Sequence, residues 1–321
     1  IKRFVYIETI MNNLSDKNIG ILCGGWSDER SVSLNSGKSA YKSLISNNLH
    51  AYLFDYQKDD IGDLSNFIKD NKIDIIFNLI HGVGGEDGLV QSYLDKLSVK
   101  YIGSNSKSSK ISFNKVLTKK IWLKKGLNTP KYLTLSDTIS FEDIKKISED
   151  KFILKPCASG SSVGIKIFNT CDLNLAKSSN ILEKLSIDNL DANDYFIEEF
   201  ISANEYTAPI INNQVFPIIQ IKTKREFYNY EAKYLDKDTV FSFPNFTKNV
   251  HEQINSLCTE AFNSIGCSDW GRVDFFMDDS SSINLIEINS IPGMTDHSLV
   301  PKSAKKNGIS YYQLLLSLLK I

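Results

Sequence analysis

The 321-residue chain predicts an α/β protein (α+β overall) built of three units, and three observations carry that expectation. Apolar runs alternate with helix-like stretches through the first third. A glycine-serine loop directly follows a strand in the middle. Two neighbouring strands near the C-terminus carry charged groups at alternate positions. The expected divisions are 1–108 for a parallel-sheet unit, 109–203 for a central unit and 204–321 for a C-terminal unit.

In the first unit Asn18 to Cys23, Ala51 to Asp55 and Ile73 to Leu79 read as buried strands. Helices are expected over Val32 to Ser46, Asp60 to Lys69 and Gly88 to Leu97 between and after them. Strands alternating with helices imply a parallel sheet. Two loops, GGWSDERSVS and HGVGGEDG, follow the first and third strands. Ligands of open parallel sheets bind at such strand ends.

The second unit opens with one helix, Ser109 to Lys125, and passes through Asn128-Thr129-Pro130 to a short strand. A helix near Phe141 to Glu149 and the strand KFILKP follow. The third unit mixes strands with a hairpin signal at Asn212-Asn213, a helix over Asn249 to Ser264, the two charged strands and a closing helix.

The charge balance is 37 basic against 38 acidic residues, a formal net charge of -1, so no overall field attracts nucleic acid or an anionic membrane. A small-molecule substrate is favoured. No apolar run approaches the roughly 18 residues that span a bilayer. Five cysteines without C-x-x-C spacing argue against a disulfide framework or a zinc site and for a reducing cytoplasm. Met11 is one candidate start; residues 1–10 as an additional strand or arm is the other.

The loop KPCASGSSVG over 155–164 suits phosphate: Lys155 supplies a point charge, Gly160 and Gly164 let backbone N–H groups approach, and Ser161 and Ser162 add hydroxyl donors. No G-x-x-x-x-G-K-[ST] or G-x-G-x-x-G occurs, so neither a P-loop nor a Rossmann site is indicated. In WGRVDFF and INLIEIN, Arg272 and Asp274 share a strand face, as do Glu287 and Asn289. Asp, Glu and Asn oxygens on one side suit Mg²⁺ beside a nucleotide's phosphates. His81 reads as lining a pocket rather than as a general base.

These blocks, together with FIEEFI, YEAKY and EINSIPGMTDHSLVP in this order, resemble the D-alanine:D-alanine ligases of the ATP-grasp superfamily from about Asn18 to the C-terminus. The resemblance implies a three-domain ligase whose N-terminal parallel-sheet domain precedes two ATP-grasp domains that clamp the nucleotide. It implies that Lys115, Lys155, Ser161 and Ser162 meet ATP phosphates, that Glu198 with Glu199 and Ile201 holds adenine, that Glu205 holds ribose, and that Lys233 lies at the same site. Asp274, Glu287 and Asn289 would hold two Mg²⁺ ions, or Mn²⁺ in their place. Glu29, Val32 and His81 would receive the first D-alanine; Tyr234, Ser298 and Leu299 would receive the second. Arg272 and the Gly293 N–H would stabilise an oxyanion, and Ser161, Tyr234 and Glu29 would close the site. Residues 223–237 would form its lid.

The resemblance further implies a cytoplasmic homodimer that makes D-alanyl-D-alanine for peptidoglycan precursors. A related ligase joining D-lactate or D-serine, and a non-catalytic ATP-binding module, are the alternatives.

Overall fold

The computed structural model describes residues 14–58, 60–135, 139–175, 185, 194–225, 236 and 238–319. The first sheet is parallel and consists of β1 (Ile19–Gly24), β2 (Ala51–Tyr56), β3 (Ile75–Asn78) and β4 (Lys100–Ile102) in the order β2-β1-β3-β4. Helices α1 (Arg30–Ile45), α2 (Ile61–Asp70) and α3 (Leu89–Lys96) connect them. Every residue of β1 and β3 is buried, which is why both read as unbroken apolar runs. Because β1 is flanked by β2 on one side and β3 on the other, the strand order reverses there. The crevice at such a switch point opens between the loops after β1 and β3.

Where one helix was expected over 109–125 there are two, α4 (Ser106–Phe113) and α5 (Lys115–Lys124). Asn114 separates them: at φ -92° and ψ 103° it leaves the helix, and its side chain accepts a hydrogen bond from Leu117 N at 3.0 Å. Asparagine is among the preferred residues for that capping position. The break sets Lys115 at the first position of α5.

The second sheet is antiparallel, with β5 (Tyr132–Thr134), β6 (Lys151–Pro156), β7 (Lys166–Asn169) and β8 (Tyr195–Glu199) in the order β5-β8-β6-β7. Helices α6 (Phe141–Ile147) and α7 (Thr170–Leu175) accompany it. Ile144, Phe152, Leu154 and Ile197 form its separate small core.

The third sheet runs β12-β11-β9-β13-β14, with β10 beside β9. Its strands are β9 (Asn204–Ile211), β10 (Gln214–Val215), β11 (Ile219–Lys222), β12 (Val240–Ser242), β13 (Trp270–Met277) and β14 (Ile283–Asn289). Asn212 and Asn213 both take positive φ, 50° and 61°, as a two-residue turn between twisted strands requires. Helix α8 (Lys248–Ile265) starts at Thr247, whose side chain caps Val250 N, and stops at left-handed Gly266. The expected closing helix is again a pair, α9 (Leu299–Lys306) and α10 (Tyr311–Leu318), separated at Gly308.

Packing crosses the units. Leu44 and Phe77 of the parallel sheet layer share a core with Trp270, Val300, Leu314 and Leu318. The Phe77 and Trp270 rings meet edge-on at 5.7 Å. Trp122 of α5 packs with Cys258 and Phe262 of α8, so the helices that open the second unit rest on the third sheet.

Candidate active site

Glu29, Ser161, Arg272 and Ser298, contributed by all three units, line one cavity of about 410 Å³. A narrower slot of about 60 Å³ is lined by Lys155, Ser162, Glu205 and Asp274, and shares Lys115, Ser159 and Glu287 with the larger cavity.

Glu29 stands immediately before α1, yet its side chain does not cap that helix. Its Oε1 accepts a hydrogen bond from Ser161 Oγ instead. Both residues are buried, and Val32, one turn along α1, lines the same cavity. To reach Glu29 the central loop adopts φ 51° at Ser161 and 59° at Ser162. That left-handed conformation costs a non-glycine residue about 1–2 kcal/mol, and backbone strain of this kind clusters at functional sites. Gly160 makes the approach possible, since a Cβ there would lie 2.1 Å from Glu29 Oε2.

His81 follows β3 and is buried. Its Nδ1 lies 2.7 Å from the Ile291 carbonyl oxygen, which can only accept, so Nδ1 carries the proton. Nε2 then accepts from Ser36 Oγ at 3.1 Å, and Ser36 Oγ accepts from Met294 N at 3.1 Å. Burial pushes the imidazolium pKa down, against the opposing pull of Glu29 and of the Ile291 carbonyl, and keeps the ring neutral. Both nitrogens are engaged, so His81 ties the β3 loop to the 291–294 loop beneath the cavity.

Glu86, also on the β3 loop, lines the cavity and was not among the residues the sequence singled out. Burial, with the negative charge of Glu29 adding to it, raises its carboxyl pKa to about 8 despite a hydrogen bond from Gly82 N at 3.0 Å. The sequence HGVGGEDG hides this, because acidic residues among glycines are ordinary in turns.

On the third sheet the register sets Arg272 opposite Asn289 and Asp274 opposite Glu287, with a bulge after Asp274. Arg272 grips Asp274 with two parallel bonds, Nε to Oδ1 at 3.0 Å and Nη2 to Oδ2 at 2.7 Å, and Thr207 Oγ1 adds a third at 2.5 Å. Asn289 Oδ1 is buried and has no hydrogen-bond partner. An unsatisfied buried oxygen costs about 1–3 kcal/mol. With two carboxylates beside it, it fits a hard cation that takes oxygen ligands. No group of three His, Cys, Asp or Glu side chains that could hold a metal occurs among the described residues.

Lys115 Nζ lies 3.2 Å from Glu287 Oε2 and donates to the Ser159 carbonyl at 2.7 Å. A cation at the first position of a helix opposes the helix dipole by about 0.3–1 kcal/mol, a cost consistent with a positive charge needed at that point. Lys155 pairs with Glu198, whose carboxylate faces two lysines and is fully buried. The second is Lys119, another residue the sequence did not single out. It occupies a core-facing position of α5 three residues from Val116 and three from Trp122, and that spacing was readable. Glu205 reaches the slot; Glu199 and Ile201 line neither the slot nor the cavity.

Ser298 and Leu299 bring the start of α9 to the cavity, with Ser298 Oγ accepting from Thr295 N at 3.0 Å. Gly293 also lines it, and a Cβ there would stand 2.9 Å from Ser298 Oγ. Lys233, Tyr234 and most of the expected lid lie outside the described residues.

The family described as D-ala D-ala ligase C-terminus matches residues 121–320. A D-alanine--D-alanine ligase of Saccharophagus degradans is 36% identical over 300 residues, 93% of this chain and 92% of that protein. One from Buchnera aphidicola subsp. Schizaphis graminum is 39% identical over 315 residues, 95% of this chain and 99% of that protein. The crystal structure of the D-alanine--D-alanine ligase of Bacillus anthracis complexed with ATP superposes with a TM-score of 0.78 at 30% identity, covering 94% of this chain and 96% of that one.

Proposed function

The chain belongs to the D-alanine--D-alanine ligase family, and from that membership we propose that it joins two D-alanines into D-alanyl-D-alanine with ATP, through an acyl phosphate, for peptidoglycan precursor synthesis. The observation that carries the reading is the convergence of Glu29, Ser161 and Arg272 on one cavity that shares Lys115 and Glu287 with the lysine-lined slot.

In this reading the slot takes ATP, with Lys115, Lys155 and Ser162 toward the phosphates and Glu205 toward the ribose. The adenine end is assigned to Glu198 with the backbone around Glu199 and Ile201, a stretch beyond the slot's own lining, with the Glu198 carboxylate held by Lys119 and Lys155. Asp274, Glu287 and Asn289 hold Mg²⁺, with Mn²⁺ as a substitute; the partnerless Asn289 Oδ1 supports this. When bound, such a cation screens the repulsion between substrate carboxylate and triphosphate.

The chain's own groups then do the following. Glu29 draws the ammonium of the first D-alanine, and neutral His81 and Val32 shape its pocket without competing for charge. Ser298 and the Leu299 N–H receive the second D-alanine, and Tyr234, outside the described residues, is assigned to the same subsite from the family resemblance alone. As its amine attacks the acyl carbon, Arg272 and the Gly293 N–H stabilise the developing oxyanion. Removing one such donor costs about 2.7–4 kcal/mol in comparable sites. Holding both substrates in line supplies roughly 7–11 kcal/mol more. The Ser161–Glu29 bond and Tyr234, with the lid over 223–237, exclude the water that would hydrolyse the acyl phosphate.

Domain boundaries near residues 108 and 203, a homodimer through the N-terminal unit and a cytoplasmic location belong to the same reading. No helix among the described residues is long and apolar enough to cross a membrane. Phosphate release measured with ATP, Mg²⁺ and a panel of D-alanine, L-alanine, D-serine and D-lactate tests the assignment. Turnover that requires D-alanine alone supports it, and none with any acid leaves a nucleotide-binding module.

A further inference from the structure

Lys119 lies one turn beyond Lys115 on α5, and 1% of its side chain is exposed. Its ammonium stands 2.5 Å from Glu198 Oε1 and 2.5 Å from Thr129 Oγ1. Thr129 in turn donates to the Leu285 carbonyl on β14 at 2.7 Å, which fastens the cluster to the neighbouring sheet. The other Glu198 oxygen is held by Lys155. A single buried carboxylate thus answers two ammonium groups. The carboxylate of Glu287 is met by Lys115 at 3.2 Å.

The two lysines differ in what they can reach. Lys155 lines the slot; Lys119 lines neither slot nor cavity and is anchored on both sides. For Lys155 to turn to a phosphate it must loosen its hold on Glu198. Were Lys155 the sole partner, that move would leave a buried carboxylate uncompensated, and uncompensated buried charge is strongly unfavourable. With Lys119 in place Glu198 keeps a cation throughout.

We propose that Lys119 is a positioning residue for nucleotide capture: it holds Glu198 paired so that Lys155 can exchange this carboxylate for a phosphate oxygen. The inference rests on the ATP reading of the slot and deepens it. It separates phosphate capture from recognition of the nucleoside, because Lys119 touches no part of the slot.

The test is a double-mutant cycle read by ATP affinity in the presence of Mg²⁺ and by adenosine affinity in competition. Lys119→Met should weaken ATP binding about tenfold while adenosine changes less than about twofold. Lys119→Met/Glu198→Gln should recover ATP affinity to within about threefold of the parent, because no anion then detains Lys155. Equal losses for ATP and adenosine would mean a merely structural role and overturn the inference. So would unchanged ATP affinity in the single variant, or a double variant as weak as the single one. If Lys119→Met does not fold, the double variant is set against Glu198→Gln: ATP affinities within about threefold support the inference, and a gap of about tenfold overturns it. D-alanine-dependent phosphate release by the parent protein reports separately on the ligase reading.

Discussion

Ser161 Oγ donates to the carboxylate of Glu29 across 132 residues of chain, and the two side chains close one wall of the cavity from opposite units. The bond needs a left-handed Ser161 and a neighbour without a side chain. One glycine-serine loop therefore lines the slot on one side and engages a carboxylate in the cavity on the other.

The first prediction follows from that contact. Gly160→Ala introduces a Cβ 2.1 Å from Glu29 Oε2 and forces the carboxylate or the loop aside. Misplacement by about 1 Å can cost on the order of a hundredfold in rate. Steady-state kinetics should show kcat/KM for the first D-alanine falling by roughly that factor, with a smaller change in KM for ATP. Wild-type kinetics would remove the closed loop from the mechanism.

Arg272 is engaged with Asp274, yet its assigned work is on the reacting centre. Arg272→Ala should lower dipeptide formation by roughly 10²–10³, while ATP affinity, followed by calorimetry, stays close to that of the parent. A variant that turns over normally but binds ATP poorly would shift Arg272 from the oxyanion to the nucleotide.

Asn289 carries an unsatisfied buried oxygen, so stability and activity should separate there. Asn289→Leu removes a group that costs about 1–3 kcal/mol when left unpaired. Without divalent cation its melting temperature should equal or exceed that of the parent, while Mg²⁺-dependent activity is lost. A clear drop in melting temperature without Mg²⁺ would show that the oxygen has a structural partner.

Glu86 supplies the pH dependence. Its folded pKa, about 8, lies above the ordinary carboxylate value of 4.5 because burial and Glu29 disfavour its charge. The folded state thus binds the proton more tightly than the unfolded state, and the native state loses stability as pH rises from about 4.5 to about 8. Glu86→Gln keeps an acceptor for Gly82 N and cannot ionise. Thermal melts across pH should show parent and variant alike near pH 4.5, with the variant progressively more stable up to about pH 8 and a constant gap beyond. A parent with no such pH-dependent loss relative to the variant would refute the buried, protonated carboxyl.

Much of this was legible in the chain because burial leaves a period. Strands β1 and β3 are covered on both faces and read as apolar runs; burial alternates along β14, whereas β13 is buried almost throughout and shows its charged face only in the spacing of Arg272 and Asp274. What stayed hidden depends on contacts distant in sequence. KVLTKKIWLK displays lysines at 115, 119, 120 and 124; the spacing from Val116 and Trp122 turns 119 inward while 120 and 124 stay exposed, and only the fold delivers Glu198 to it. Asn114 resembles an ordinary helical position until its side chain is seen capping the next helix. The roles of Ser36 and Glu86 likewise arise from groups delivered by other segments.

The mixed core of Leu44, Phe77, Trp270, Leu314 and Leu318 has a consequence for the order in which the polypeptide matures. The parallel strands leave the ribosome early, but apolar partners that seal one of their faces are translated some two hundred residues later. At about 5–20 residues per second that face waits roughly ten seconds or more, whereas the small core of Ile144, Phe152 and Ile197 draws on nearby sequence and can form sooner. Shortening the chain before Leu314 should therefore harm the earliest-made strands rather than the middle of the protein, and leave them prone to aggregate.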